Sequence, residues 1–159
     1  MSAYQHILVG LDLSPESEQV IERVKYLFSN SDTRISICHI LEPLAFTYGG
    51  DIPVDLSDVQ TQLQSQAAER LKILGAEIGV EERNQHVVLG HPAQEMHAMA
   101  EDQNMDLIIV GSHGRHGLSL LFGSTSNSVL HGANRHVLAV RITDYIVLQL
   151  ITKSTIIYP

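Results

Sequence analysis

Five short apolar runs, most of them rich in β-branched residues, are spaced along the chain and predict buried strands. They cover residues 7–11, 35–41, 86–90, 106–110 and 136–142. Segments with apolar residues at helical spacing lie between them and predict intervening helices. Strands that alternate with helices in this way are typical of an α/β fold, a single doubly wound, parallel, five-stranded sheet with helices on both faces.

Local signals set the ends of the predicted helices. Ser14 is expected to cap the first helix. The second is expected to begin at Ser57, where a glutamine three residues later would complete a capping box, and to end at Gly79 in the left-handed conformation. Pro92 opens the third helix, and a short fourth helix is expected near Ser124.

Two stretches do not follow the alternation. Residues 42–57 contain prolines and glycines without a clear period, which predicts a loop longer than most connections. That loop is either a lid, a partner surface or a merely mobile segment. Residues 143–159 form an apolar, β-prone tail. This tail is an extra edge strand, an inter-subunit strand or a remnant of expression or read-through, and the sequence does not decide among these. The sequence therefore predicts one domain over 1–142, followed by a tail whose structure and role are not predicted.

A glycine-rich segment follows the fourth predicted strand. Its glycines are at 111, 114, 117 and 123, and three hydroxyl residues follow at 124–126. Glycines let the backbone approach an anion, and the N–H groups at a helix start point toward it. Strand, glycine loop, helix and strand together therefore predict a phosphate site, although a plain turn remains the alternative. The segment matches neither the P-loop pattern nor Gly-x-Gly-x-x-Gly.

Composition narrows the class of protein. The chain has 159 residues, 44% hydrophobic and 18% charged, which fits one globular domain. Its net charge of −8 argues against a general nucleic-acid or anionic-membrane partner. No apolar run approaches the ~20 residues of a membrane span, and no signal peptide is evident. A single cysteine, Cys38, excludes an intramolecular disulfide, is expected to be a buried apolar residue and fits a reducing cytoplasm.

Catalytic and structural-metal patterns are missing from the sequence. Among the nine histidines only the pairs His91/His97 and His113/His116 lie close in sequence. With a single cysteine and no His-Glu-x-x-His pattern, we predict no structural zinc, and we find no Ser-His-Asp or Cys-His arrangement. The segment after the first strand also lacks the His-x-Gly-His and Ser-Gly-Gly-x-Asp-Ser signatures of nucleotide enzymes on related folds. We therefore predict no catalytic residue and no efficient catalysis.

The glycine segment carries a family resemblance. Gly-Ser-His-Gly at 111–114, Gly-Ser at 123–124 and Val-Leu-Ala-Val at 137–140 resemble the C-terminal half of a universal stress protein. Nucleotide-binding members carry Gly-x2-Gly-x9-Gly-Ser/Thr, whereas eight residues fill the second gap here. The resemblance covers roughly residues 4–142. It implies a Rossmann-like sheet with strand order 3-2-1-4-5.

The resemblance also implies an adenine-nucleotide site at the switch between strands 1 and 4. Asp12 would hold the ribose or Mg²⁺, unless it only caps a turn, and the Ile40 backbone would meet the adenine. The loop after strand 4 would cradle the phosphates, and Arg115 would either reach the last phosphate or be solvated. The candidate binding residues are Leu11, Asp12, Ile40, Gly90, Val110, Gly111, Gly114, Arg115, Gly123, Ser124 and Thr125.

Three functional hypotheses remain open. The first is a stress-response sensor or regulator that binds ATP, AMP or ADP with Mg²⁺ and forms a homodimer through its fifth strand. The second is the branch that resembles universal stress protein A, a dimer that binds no nucleotide and acts through protein partners. Residues 12–17 and the domain length resemble this second branch. The third, a minor one, is slow ATP hydrolysis or self-phosphorylation at Ser124 or Thr125.

Overall fold

The computed structural model of the chain describes residues 3–44, 56–113 and 124–143, with only the backbone described at 113 and 124. Four groups of predictions lie outside the described residues: most of the long loop, Gly114 with Arg115, Gly123, and the tail beyond residue 143. The strands are β1 (His6–Gly10), β2 (Arg34–Leu41), β3 (Gln85–Leu89), β4 (Leu107–His113) and β5 (His136–Ile142). The helices are α1 (Ser17–Phe28), α2 (Ser57–Glu77), α3 (Pro92–Asp102) and α4 (Ser124–His131).

The five strands form one parallel sheet in the order β3-β2-β1-β4-β5, which confirms the predicted fold class and strand order. β1 lies at the centre, where Ile7 pairs with Ile35 on β2 and with Leu107 on β4. The chain builds outward from β1 through β2 to β3, then returns to the other side of β1 for β4 and β5. The strand order therefore reverses between β1 and β4.

Alternation along the strands creates two cores. Ile7 and Val9 point to one face, where they pack with buried residues of α1 and α2. Leu8 points to the other face and packs with Met96 of α3 and Val129 of α4. Because neighbouring strand residues point to opposite faces, the two adjacent strands β1 and β4 carry consecutive apolar residues, as expected for a sheet covered on both sides.

Helix starts differ from the predictions in two places. Helix α1 begins at Ser17, three residues after the predicted cap, and the Ser14 carbonyl accepts the Ser17 N–H at 3.0 Å in the preceding turn. Helix α2 begins at Ser57 as predicted, but its capping box does not form. The Gln60 N–H donates to the Leu56 carbonyl, and Gln60 Oε1 accepts from the Leu44 N–H at 3.0 Å.

Other element boundaries bear on the site. Gly79 has φ +68°, which confirms the predicted left-handed residue after α2. β4 runs three residues beyond its predicted end at Val110, because Gly111, Ser112 and His113 continue to pair with β5. Gly111 is therefore a strand residue rather than the first residue of a loop.

Candidate functional site

A cavity of about 560 Å³ opens at the carboxyl ends of the strands, at the reversal between β1 and β4. Open α/β sheets bind ligands at this place, because loops from both sides diverge there and leave a crevice. The volume lies in the range of roughly 300–1,000 Å³ that is usual for small-molecule sites. The cavity is therefore the candidate functional site of the described residues.

Six predicted site residues, which come from the ends of three strands and the start of α4, line this cavity. They are Leu11, Asp12, Ile40, Val110, Gly111 and Thr125. Gly90 is not part of the lining, and for Ser124 only the backbone position at the start of α4 is described. Gly114, Arg115 and Gly123 lie outside the described residues. The fold thus brings together segments that are more than 100 residues apart in sequence.

Asp12 lines the cavity and also organises the turn before α1. Its Oδ1 accepts the Ser14 N–H at 3.0 Å and the Ser14 hydroxyl at 2.7 Å. It further accepts the Ser17 hydroxyl at 2.7 Å. The exposed carboxylate is thus held at the cavity edge by three hydrogen bonds from the chain that follows it. The turn-capping interpretation and the ligand-binding interpretation of Asp12 are geometrically compatible.

Two predicted glycines are explained by packing. A Cβ on Gly111 would overlap Ile142 Cδ1 and lie 3.3 Å from Val20 Cγ2. A Cβ on Gly90 would overlap the Glu95 side chain, and the Gly90 N–H donates to the Leu41 carbonyl at 2.9 Å. Gly111 therefore allows the end of β5 to approach the cavity wall, and Gly90 shapes the turn from β3 into α3.

Sequence reasoning missed His39, which lines the cavity from β2. Its Nδ1 lies 2.7 Å from the Leu11 carbonyl oxygen. Since a carbonyl only accepts, Nδ1 carries the proton and donates to Leu11. A histidine near the carboxyl end of a predicted strand was the available signal, but its partner is 28 positions away in sequence.

Other lining residues were also missed. Ser17 and Ser126 are buried polar residues, each 1% exposed. Met96 adds an apolar wall from α3, and Glu42 adds a carboxylate just after β2. The available signal for Ser126 was its place directly after Ser124 and Thr125 in the first turn of α4.

The described cavity wall is acidic. Asp12 and Glu42 are its charged residues, and none of the described lining residues is Lys or Arg. Cys38 belongs to the wall, and burial raises the pKa of its thiol to about 12, so the sulfur stays protonated at neutral pH. A polyphosphate would therefore need a cation, backbone N–H donors or residues outside the described ranges to offset its charge.

Two wider searches of the described residues bear on the function. Residues 3–44, 56–113 and 124–143 contain no cluster of three or more His, Cys, Asp or Glu side chains suited to a metal ion. Every helix in these ranges is too short or too polar to cross a bilayer.

A family model and a curated relative both match this chain over most of its length. The model of the universal stress protein family matches residues 3–141. Universal stress protein A homolog 2 of Coxiella burnetii is 41% identical over 144 residues, which is 89% of this chain and 98% of that protein. The family match therefore spans every described helix and the sheet as far as Arg141.

Comparison with solved structures adds a ligand-bound relative. A universal stress protein in complex with cAMP has a TM-score of 0.54 and 26% identity, and the match covers 87% of this chain and 98% of that one. The protein MJ0577 has a TM-score of 0.69 and 23% identity, with 90% and 99% coverage, and thus shares the fold.

Proposed function

The chain belongs to the universal stress protein family, and we propose that it binds an adenine nucleotide together with Mg²⁺ in the cavity between β1 and β4. One observation carries this proposal. Six residues expected to contact the nucleotide line a single cavity of about 560 Å³ at the strand-order reversal. A related protein that crystallised in complex with cAMP supports the same ligand class.

The base and the ribose would lie against the apolar part of the cavity lining. Met96 and Val110 provide apolar surface there, and Ile40 brings a strand backbone to the wall. Small-molecule sites combine such apolar walls with a few polar groups that fix orientation. Asp12 supplies a carboxylate at the edge, where it would accept ribose hydroxyl hydrogens or bind Mg²⁺.

The phosphates would lie on the side of the cavity formed by the start of α4. The N–H groups of a first helical turn have no partner within the helix and favour anions. Thr125 lines the cavity there and adds a hydroxyl donor. Asp12 and Glu42 would repel a bare polyphosphate, whereas Mg²⁺ is usually held by one or two carboxylates together with substrate phosphates. This donor set fits a metal that enters with the nucleotide.

A second candidate function is supported by the loop length. Eight residues separate Gly114 and Gly123, one fewer than in the nucleotide-binding pattern of the family. In this case the chain would bind no nucleotide and would act on protein partners. Transfer of the terminal phosphate to water, Ser124 or Thr125 is a minor variant of the first candidate.

The proposed assembly is a cytoplasmic homodimer built on β5. This strand is at the edge of the sheet, and Val137, Leu138 and Ala139 are only half-buried. An edge strand offers unpaired N–H and C=O groups, which a second copy related by a two-fold axis would satisfy. Light scattering after gel filtration at micromolar concentration would give twice the chain mass, and a single-chain mass would contradict this assembly.

The nucleotide is tested by mass analysis of the small molecules released on denaturation, and by calorimetry with ATP, ADP, AMP and cAMP in millimolar Mg²⁺. Thr125→Phe places a ring in the cavity and should abolish the heat of binding. Ser128→Phe adds the same ring to an exposed position of α4 outside the cavity lining and should leave binding intact. Neither released nucleotide nor heat from the unaltered chain would overturn the proposal in favour of the second candidate.

A further inference from the structure

The hydrogen-bond ladder between β1 and β2 stops just before the cavity. In a parallel strand the N–H and C=O of one residue point to the same side, and those of the next residue point to the other. The Leu11 N–H donates to the Cys38 carbonyl at 2.9 Å, so the Cys38 backbone faces β1. Two residues later, the Ile40 backbone faces the same way, and the Leu41 carbonyl faces β3, where it accepts from Gly90.

The next rung of this ladder would be a bond from the Ile40 N–H to the Leu11 carbonyl. The described part of the chain contains no such bond. The Leu11 carbonyl instead accepts Nδ1–H of His39 at 2.7 Å. The imidazole therefore occupies the acceptor that the Ile40 amide would use, and Ile40 presents its N–H and C=O to the cavity that both residues line.

We propose that His39 is a positioning residue that keeps the backbone pair of Ile40 open for the edge of a purine base. A backbone N–H beside a backbone C=O complements an edge with an acceptor beside a donor. Adenine has this edge in its ring nitrogen N1 and its 6-amino group. The inference rests on the proposed nucleotide function. In it, His39 does not contact the base, but it determines which base is preferred.

Two variants separate this role from a general structural one. His39→Asn retains an N–H donor close to the position of Nδ1 and can still bond to the Leu11 carbonyl. His39→Phe retains a ring of similar size without a donor, which leaves the Leu11 carbonyl to the Ile40 N–H. The first should behave like the unaltered chain, and the second should close the ladder.

The first experiment needs no ligand. NMR-detected amide exchange on the full chain should show the Ile40 amide exchanging at least about tenfold faster than the Cys38 amide, which lies within the ladder. His39→Asn should preserve this difference, and His39→Phe should slow Ile40 exchange toward that of Cys38. If Ile40 and Cys38 are equally protected in the unaltered chain, the proposal is overturned, even if the Phe variant does not fold.

The second experiment measures base selectivity with Mg²⁺ present. ATP is compared with purine riboside triphosphate, which lacks the 6-amino donor. The unaltered chain and His39→Asn should prefer ATP by about tenfold, the value of one hydrogen bond, and His39→Phe should lose that preference. A preference unchanged in His39→Phe overturns the positioning role and leaves the nucleotide function standing. No binding to the unaltered chain overturns the nucleotide function, and the base-reading role with it, while Ile40 exchange still reports whether His39 opens the ladder.

Discussion

Gln19 of α1 binds both backbone polar groups of Thr143, the residue that follows β5. Its Nε2 donates to the Thr143 carbonyl at 2.8 Å, and its Oε1 accepts the Thr143 N–H at 3.0 Å. The side-chain amide thus continues the pairing of β5 by one residue. Ile142, directly before Thr143, is 4% exposed and lines the cavity. The pair therefore joins α1 to the strand that forms one wall of the site.

Loss of the Gln19 amide should destabilise the fold measurably. Gln19→Ala removes two hydrogen bonds, each with a net contribution of about 0.5–1.5 kcal/mol, and we expect the free energy of unfolding to fall by about 1–3 kcal/mol. Urea denaturation of the full chain measures this change. Gln62→Ala, at an exposed position of α2, is the matched control and should have little effect. A Gln19→Ala variant as stable as the control would show that the pair contributes nothing.

The close contact between Gly111 and Ile142 gives a second prediction. Gly111→Ala would bring a Cβ against Ile142 Cδ1, and overpacking of this kind costs about 1–3 kcal/mol. Ile142→Val removes that Cδ1 and alone should cost about 0.5–1.5 kcal/mol. Because the two changes are complementary, the double variant should be more stable than Gly111→Ala alone. A double-mutant cycle by denaturant unfolding measures the coupling, and strictly additive losses would contradict a direct contact.

At the opposite end of the sheet, His6 is 4% exposed and sits in a polar cluster. Arg34 Nη2 lies 2.7 Å from its Nδ1, and an arginine nitrogen only donates, so Nδ1 accepts. The remaining ring proton is on Nε2 and is donated to Ser36 Oγ at 2.9 Å. A second ring proton, on Nδ1, would face the Arg34 guanidinium as well as the Gln103 carbonyl oxygen 3.3 Å away. Burial and then Arg34 lower the pKa of His6.

This arrangement predicts a loss of stability in mild acid. Because the pKa of His6 is lower in the folded chain, the unfolded chain takes up the proton first as the pH falls. The stability is thus complete above about pH 6.5 and declines below it, by at most about 1.4 kcal/mol per pH unit for one proton. Burial also lowers the pKa of His86, so this residue acts in the same direction.

Denaturant unfolding at several pH values measures this slope. His6→Gln does not titrate, and its amide can still donate to Ser36, so its slope between about pH 6.5 and 5 should be smaller by up to one proton. The nearby Asp106 does not contribute to this slope. The N–H groups of His6 and Gln5 lower the pKa of its carboxyl, so Asp106 titrates in more acidic solution than His6. Equal slopes for His6→Gln and the unaltered chain would exclude His6 as the source.

The sheet was predictable because its signals are local. Runs such as 7–9 and 107–110 are apolar at consecutive positions, and this pattern follows directly from burial on both faces. The start of α1 was not predictable in this way. Ser14 followed by proline favours a cap, yet its hydroxyl and N–H donate to Asp12, and the helix begins only at Ser17.

Only part of the candidate site could be predicted from the sequence. The glycine segment and Asp12 stand out because of residue type and spacing. His39 and Gln19 do not, since their partners are 28 and 124 positions away and both bonds reach backbone groups that any residue would offer. Gly111 was legible as a glycine, but its role in packing against Ile142 depends on the register of β4 with β5.

Asp12 allows the turn and the ligand site to be tested separately. Asp12→Asn retains an oxygen that can accept from Ser14 and Ser17, but it loses the negative charge. The variant should therefore keep nearly full stability while ATP with Mg²⁺ binds more weakly, by about 1.5–3 kcal/mol, the range for a hydrogen bond to a charged group. Ser17→Ala is the complementary variant, because it removes one donor at 2.7 Å and leaves the carboxylate in place.

The pattern across these variants identifies the role of the carboxylate. Asp12→Ala should reduce both stability and binding, since it removes the acceptor of three hydrogen bonds as well as the charge. Ser17→Ala should lower stability by about 0.5–1.5 kcal/mol and change ATP affinity less than Asp12→Asn does. Calorimetry and urea unfolding measure both quantities on each protein. If Asp12→Asn binds ATP with Mg²⁺ as tightly as the unaltered chain, the Asp12 carboxylate stabilises the turn before α1, and its negative charge does not contribute to ligand binding.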